Sequence, residues 1–185
     1  MSRYLSLLLL QAVFTLPILG QSKNSLVTQV LSTARDFRDI SNVLSIIRED
    51  KRVYSYVPSV SPIKEKYRLS GTFGYRYHPI SHKPKFHSGV DMAASYASIV
   101  RATASGTISF AGLTRGYGKR IVITHKYGFV TAYAHLTYIY VQPGHFVRKG
   151  QCIGFVGSTG YSTGNHLHYE IIKNKRYIDP LPFLG

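Results

Sequence analysis

From residue 68 onward the chain is cut by glycines into short β-forming runs, and this texture limits the possible folds more than any other feature. Residues 106–111 (GTISFA), 120–125 (RIVITH) and 129–135 (FVTAYAH) are separated by Gly116-Tyr117-Gly118 and Tyr127-Gly128. Residues 147–150 lead into the apolar run 152–156, and residues 166–173 alternate again. Several short strands at this spacing predict a mainly β, antiparallel sheet domain. The preceding segment differs. Leu26, Val27, Val30, Leu31 and Ala34 fall on one helical stripe, and Ile40, Val43, Leu44 and Ile47 continue it, which predicts one bent helix or two over residues 25–50. Residues 51–66, with Pro58, Pro62 and several serines, read as a linker or extended arm. The expected organisation is therefore a leader (1–20), a helical segment with linker (21–66) and a β domain (67–185).

The leader is read from Arg3, the almost wholly apolar residues 5–19 and the small Gly20, which together resemble a secretory signal peptide. The apolar stretch is short for a membrane span, so no stable membrane insertion is expected after cleavage. No cysteine stands directly after it, so no lipoprotein anchor is expected. The rest of the chain is expected in the cell envelope, periplasmic or extracellular. Cys152 is the only cysteine, so an intrachain disulfide is impossible, and its apolar surroundings predict a small buried side chain.

The formal net charge of the 185 residues is +15. From Ser70 to the end, 13 Lys and Arg face only Asp91, Glu170 and Asp179, and all eight histidines lie there as well. Such a surface implies an anionic partner. Motifs of nucleic-acid recognition are missing, so nucleic acid is not the expected one.

Three elements carry chemistry. His166-Leu167-His168-Tyr169-Glu170 places two imidazoles two residues apart in a strand-like run, so both share one face and Leu167 takes the other. His87-Ser88-Gly89-Val90-Asp91 sets an imidazole and a carboxylate four apart, with Gly89 expected to let the backbone turn between them. Asp91 stands in an apolar run, where a carboxylate is costly unless paired or metal-bound. Zinc takes both donor types, and catalytic zinc sites use three protein ligands and one open position. Third, His135 in Tyr133-Ala134-His135-Leu136 closes a strand-like stretch, where a turn could aim it into a groove.

With Phe73-Gly74-Tyr75-Arg76-Tyr77-His78-Pro79, Gly116-Tyr117-Gly118, Gly157-Ser158-Thr159-Gly160 and Ser162-Thr163-Gly164, these elements resemble, in order, the lysostaphin/LytM-type zinc metallopeptidases over residues 70–184. The resemblance implies a duplicated hybrid motif fold and a metalloendopeptidase that hydrolyses the peptide cross-links of bacterial peptidoglycan. It implies one Zn2+ per chain, held by His87, Asp91 and His168, with His135 and His166 as catalytic residues beside the metal-activated water and the substrate. Two neutral imidazoles and one carboxylate would leave such a site a net charge of about +1, which acidifies water. The chain departs from the family pattern at Asn165 and at Tyr96-Ala97-Ser98, both expected to reshape the groove wall, while Tyr75, Arg76 and Tyr77 are groove candidates. His78, His82, His125 and His145 read as surface or structural residues. A catalytically silent, wall-binding relative would be expected to lack metal ligands. In some relatives an upstream asparagine occludes the zinc, and Asn24 and Asn42 are the candidates here.

Overall fold

The structure, a computed structural model, describes residues 23–77 and 83–184. The leader-like stretch, His78, His82 and the side chains of Asn24 and Asn42 lie outside the described residues. The chain falls into two compact units, Met1–Tyr54 and Ser55–Gly185.

In the first unit the helical stripe resolves into two helices, α1 (Lys23–Thr33) and α2 (Phe37–Glu49), followed by the single turn α3 (Lys51–Tyr54). The break has a local cause. Asp36 takes an extended backbone and its carboxylate accepts hydrogen bonds from the Arg38 and Asp39 amides, capping α2. Asp50 does the same for α3, accepting from the Arg52 amide at 3.0 Å, so a helical turn stands where a linker is expected. Val27, Leu31, Ile40 and Ile47 of the predicted stripe are buried.

The second unit is antiparallel β, as the glycine-punctuated pattern predicts. Its strands are β1 (Arg68–Gly71), β2 (Gly74–Tyr77), β3 (Pro84–His87), β4 (Val90–Ala93), β5 (Ile99–Arg101), β6 (Gly106–Thr114), β7 (Gly118–Thr124), β8 (Phe129–Ile139), β9 (Phe146–Val147), β10 (Cys152–Val156), β11 (His166–Lys173) and β12 (Arg176–Ile178). The main sheet runs β1-β4-β11-β8-β7-β6-β9, with β10 joined to β8 and β5, and β12 to β11. Strands β2 and β3 form a separate hairpin. Alternation puts Val90, Met92, Ile121, Ile123, Leu167 and Ile171 on buried faces. Val57 and Ile63, upstream of the sheet, are buried too.

The interior holds a polar chain as well as apolar side chains. His125 Nε2 bonds Thr131 Oγ1, which donates to Tyr133 OH, and Thr103 links Tyr133 to Tyr169. Its members are each partnered, which is the condition for burying them.

Candidate metal centre and active site

Strand pairing assembles the site. In the β4–β11 register His168 stands directly opposite Asp91, and in the β11–β8 register it stands opposite Ala134. His166 shares the face of His168, while Leu167 is fully buried behind them, as the period-two argument requires. His87 ends β3. Gly89 plays a different part from the one expected of it. Its backbone is not left-handed; instead, an added Cβ would collide with the Tyr169 carbonyl oxygen, so glycine is what allows residues 87–91 to lie close against β11. Gly71, opposite Asp91 in β1, likewise leaves room for Asp91 Oδ2.

Three donor atoms converge. His87 Nε2 lies 3.0 Å from His168 Nδ1 and 3.1 Å from Asp91 Oδ1. His168 Nδ1 lies 2.8 Å from the same Oδ1. The far ring nitrogens fix the tautomers. His87 Nδ1 faces the Thr72 carbonyl at 2.7 Å, and His168 Nε2 faces Glu170 Oε1 at 3.1 Å. Both partners can only accept, so both outer nitrogens carry hydrogen and both inner ones present lone pairs. Two lone pairs and a carboxylate oxygen aimed at one another form a cation site, and a 2-His-1-Asp set leaves a tetrahedral ion one position open. The residues therefore fit a zinc ion.

The surroundings reinforce this. Arg76 Nη2 holds Asp91 Oδ2 at 2.6 Å, which leaves Oδ1 turned to the imidazoles. Burial would raise the Asp91 carboxyl, but the His168 and His87 imidazoles closing on Oδ1 hold it far below the usual carboxylate range. Burial disfavours charge on His168, yet Asp91 and Glu170 on either side raise its pKa. That position attracts positive charge. Glu170 is itself fully buried. It accepts from Ser88 Oγ, from Tyr117 OH at 3.0 Å and from Arg120 Nη2 at 2.8 Å. Burial would push its carboxyl up, but the His168 and Ser88 bonds and the Arg120 charge hold it at about 2.

His135 and His166 stand beside the trio, their ring centroids 4.6 Å apart. His166 Nδ1 bonds the Gly164 carbonyl at 2.9 Å, and its Nε2 reaches within 3.9 Å of Asp91 Oδ1. His135 Nδ1 bonds the Thr159 carbonyl at 2.7 Å. Burial lowers the His135 pKa to about 4, so its free nitrogen is unprotonated at neutral pH. His135 does not close a strand: β8 continues to Ile139. The residue is aimed instead by a left-handed backbone, φ 60°, where the β7–β8 register slips between Lys119 and Ile121. Its amide bonds the Tyr117 carbonyl at 2.9 Å.

The site opens into a cavity of about 640 Å³ lined by the trio, both further histidines, and Arg68, Arg76, Lys85, Arg115, Tyr117 and Asn165 among others. Of the groove candidates Arg76 lines it, while Tyr75 and Tyr77 are exposed elsewhere. Of the two departures, Asn165 lines it and residues 96–98 do not. His125 is buried and structural, as expected. The sequence reading left Glu170, Ser88, Tyr117 and Arg120 without a role. A carboxylate two residues beyond His168 on one strand face was the available signal.

Comparison with known proteins agrees with this geometry. DD-carboxypeptidase/endopeptidase Mpg of Neisseria meningitidis is 49% identical over 114 residues, covering 62% of this chain and 26% of Mpg. Peptidoglycan DD-endopeptidase ShyA of Vibrio cholerae is 36% identical over 124 residues, 65% of this chain and 28% of ShyA. The chain thus matches little more than a quarter of the length of these relatives. The catalytic domain of the antimicrobial peptidase lysostaphin from Staphylococcus simulans superposes with a TM-score of 0.58 at 35% identity, covering 64% of this chain and 92% of that domain. Residues 85–180, which contain all five site residues, match the model of peptidase family M23, and the chain belongs to that family.

Proposed function

We propose that the chain is a zinc-dependent endopeptidase that hydrolyses peptide cross-links of bacterial peptidoglycan in the cell envelope. The carrying observation is the convergence of His87 Nε2, Asp91 Oδ1 and His168 Nδ1 within 3.1 Å of one another on the wall of an open cavity. Zinc held there supplies Lewis acidity to a scissile carbonyl and lowers the pKa of water. The chain's own groups do the rest. His135 and His166, each held through Nδ1 by a backbone carbonyl, keep the Nε2 lone pair to take a proton from the attacking water, and the imidazolium N–H so formed donates to the developing oxyanion. Glu170 and Thr72 orient the two metal-facing imidazoles, and Arg76 orients Asp91.

The peptidoglycan reading rests on the relatives: ShyA carries that substrate in its name, and the DD-peptidase names favour a bond between D-centres over a glycine bridge. The complete donor set speaks against a silent, wall-binding relative. Among the described residues no helix is long and apolar enough to cross a membrane. The test is digestion of purified peptidoglycan by the zinc-loaded protein, with mass spectrometry of the new amino termini. A free amine on the cross-linking diamino acid supports the proposal; intact cross-links after prolonged digestion refute it.

A further inference from the structure

Two glycine motifs of the sequence interlock beside the site. Gly116-Tyr117-Gly118 turns between β6 and β7, and residues 157–160 lie between β10 and β11. Gly116, Gly118 and Gly160 take left-handed backbones, φ 82°, 64° and 74°. A Cβ added at Gly118 would strike the Thr159 carbonyl, and one added at Gly160 would strike the Gly118 amide nitrogen and the Gly116 carbonyl. The two loops therefore lie backbone against backbone. The Tyr161 amide donates to the Gly116 carbonyl at 2.8 Å, and the Lys119 amide donates to Thr159 Oγ1 at 2.9 Å.

From this lock, contacts run to both halves of the site. Thr159 Oγ1 donates to the Leu136 carbonyl at 2.8 Å, so one hydroxyl ties β7 to β8 next to the register slip that turns His135. The Thr159 carbonyl accepts from His135 Nδ1 at 2.7 Å, and the Tyr117 carbonyl accepts from the His135 amide at 2.9 Å. The Tyr117 hydroxyl runs the other way. It donates to Glu170 Oε1 at 3.0 Å, the same oxygen that faces His168 Nε2. Arg120 closes that corner: its guanidinium lies 4.2 Å from the Tyr117 ring centroid, and its Nη2 holds Glu170 Oε2 at 2.8 Å. Tyr117 thus reaches His168 through its side chain and Glu170, and His135 through its backbone.

Resting on the peptidase reading above, we infer that Tyr117 and Thr159 are positioning residues. Tyr117 fixes Glu170 behind the metal-facing imidazole, and Thr159 fixes the carbonyl that aims His135. The interlocked loops set the separation between the metal-holding half of the site and the proton-accepting half. Outer hydrogen-bond partners of a metal-ligating imidazole are worth about 10- to 100-fold in metal affinity, and a misplacement of about 1 Å costs up to about 100-fold in rate.

The first test is zinc affinity by chelator competition on the full chain, with the metal alone. Tyr117→Phe keeps the ring and removes the hydroxyl, and zinc is expected to bind about tenfold more weakly. Tyr75→Phe, which removes an exposed phenol elsewhere, leaves the affinity unchanged. The second test reads His135 directly. In the zinc-loaded protein with 15N-labelled histidine, the signal lost in His135→Ala shows the Nδ1-protonated tautomer. Thr159→Val keeps the shape but not the hydroxyl, and that signal moves toward a tautomer mixture while kcat on a soluble cross-linked peptide falls about tenfold more than KM changes. Thr159→Ser restores both, and Thr159→Ala makes the same test should the valine variant fail to fold by circular dichroism. Parent zinc affinity in Tyr117→Phe, an equal loss in Tyr75→Phe, or a parent tautomer in the folded Thr159 variant overturns the inference and leaves the endopeptidase reading intact. The expected affinity and tautomer changes, found in a protein whose parent form leaves peptidoglycan undigested, support the positioning roles and remove the endopeptidase reading instead.

Discussion

The five histidine and aspartate side chains of the site divide by what holds them. His168 is pinned by a buried carboxylate, Glu170, and faces a second one, Asp91. His135 and His166 are pinned by neutral backbone carbonyls of Thr159 and Gly164. The same ring thereby acquires opposite character. Carboxylates on both sides raise the pKa of His168 although burial opposes it, whereas burial with a carbonyl partner lowers that of His135 to about 4. His125 repeats the second case far from the cavity: buried, bonded to the Ser105 carbonyl, and lowered to about 4. An imidazole between carboxylates is a place for a cation; His135, buried against a carbonyl, stays neutral and can accept a proton.

The contrast breaks most visibly on alanine replacement. His87→Ala, Asp91→Ala and His168→Ala each remove a donor and are expected to abolish zinc retention and activity together, a loss of at least about a thousandfold in kcat/KM. His135→Ala and His166→Ala are expected to lower kcat by about 10²–10⁴ with zinc retained. Elemental analysis beside kinetics separates the two groups; metal loss in the second would erase the distinction. Glu170→Gln comes next, keeping shape while removing the charge behind His168. A loss of about 10- to 100-fold in zinc affinity or activity is expected, read by chelator competition. Unchanged affinity would show that the carboxylate matters only for packing.

The smallest effect is on stability and sharpens the comparison through His125. Its folded pKa of about 4 lies below the ordinary value of 6.5. Between these values the unfolded chain binds more protons, so stability falls as pH drops from 6.5 toward 4. From pH 7 to pH 5 this one group removes about 2 kcal/mol. Denaturant titrations at both pH values should show a reduced difference in His125→Gln, whatever that variant's absolute stability. An undiminished difference would mean that His125 is not the group responsible.

Much of the centre was legible in sequence because strand periodicity is short-range: His166-Leu167-His168 fixes which side chains share a face. Asp91 gave itself away as a carboxylate in an apolar run. What escaped depended on pairing between distant segments. The bulge that aims His135 arises from the β7–β8 register, and the Glu170 partners come from residues 88, 117 and 120 on other parts of the chain. Gly89 was noticed for backbone freedom, yet its reason is the neighbouring Tyr169 carbonyl, which no local pattern reveals. The helix break at Asp36 was readable as an N-cap signal, since Asp36 directly precedes the renewed apolar stripe.

Anomalous diffraction at the zinc edge from zinc-loaded crystals tests the central claim most directly. One peak within bonding distance of His87 Nε2, Asp91 Oδ1 and His168 Nδ1, with His135 and His166 near but unbonded, is the expected result. A peak elsewhere, or one ligated by His135 in place of any of the three, would contradict it.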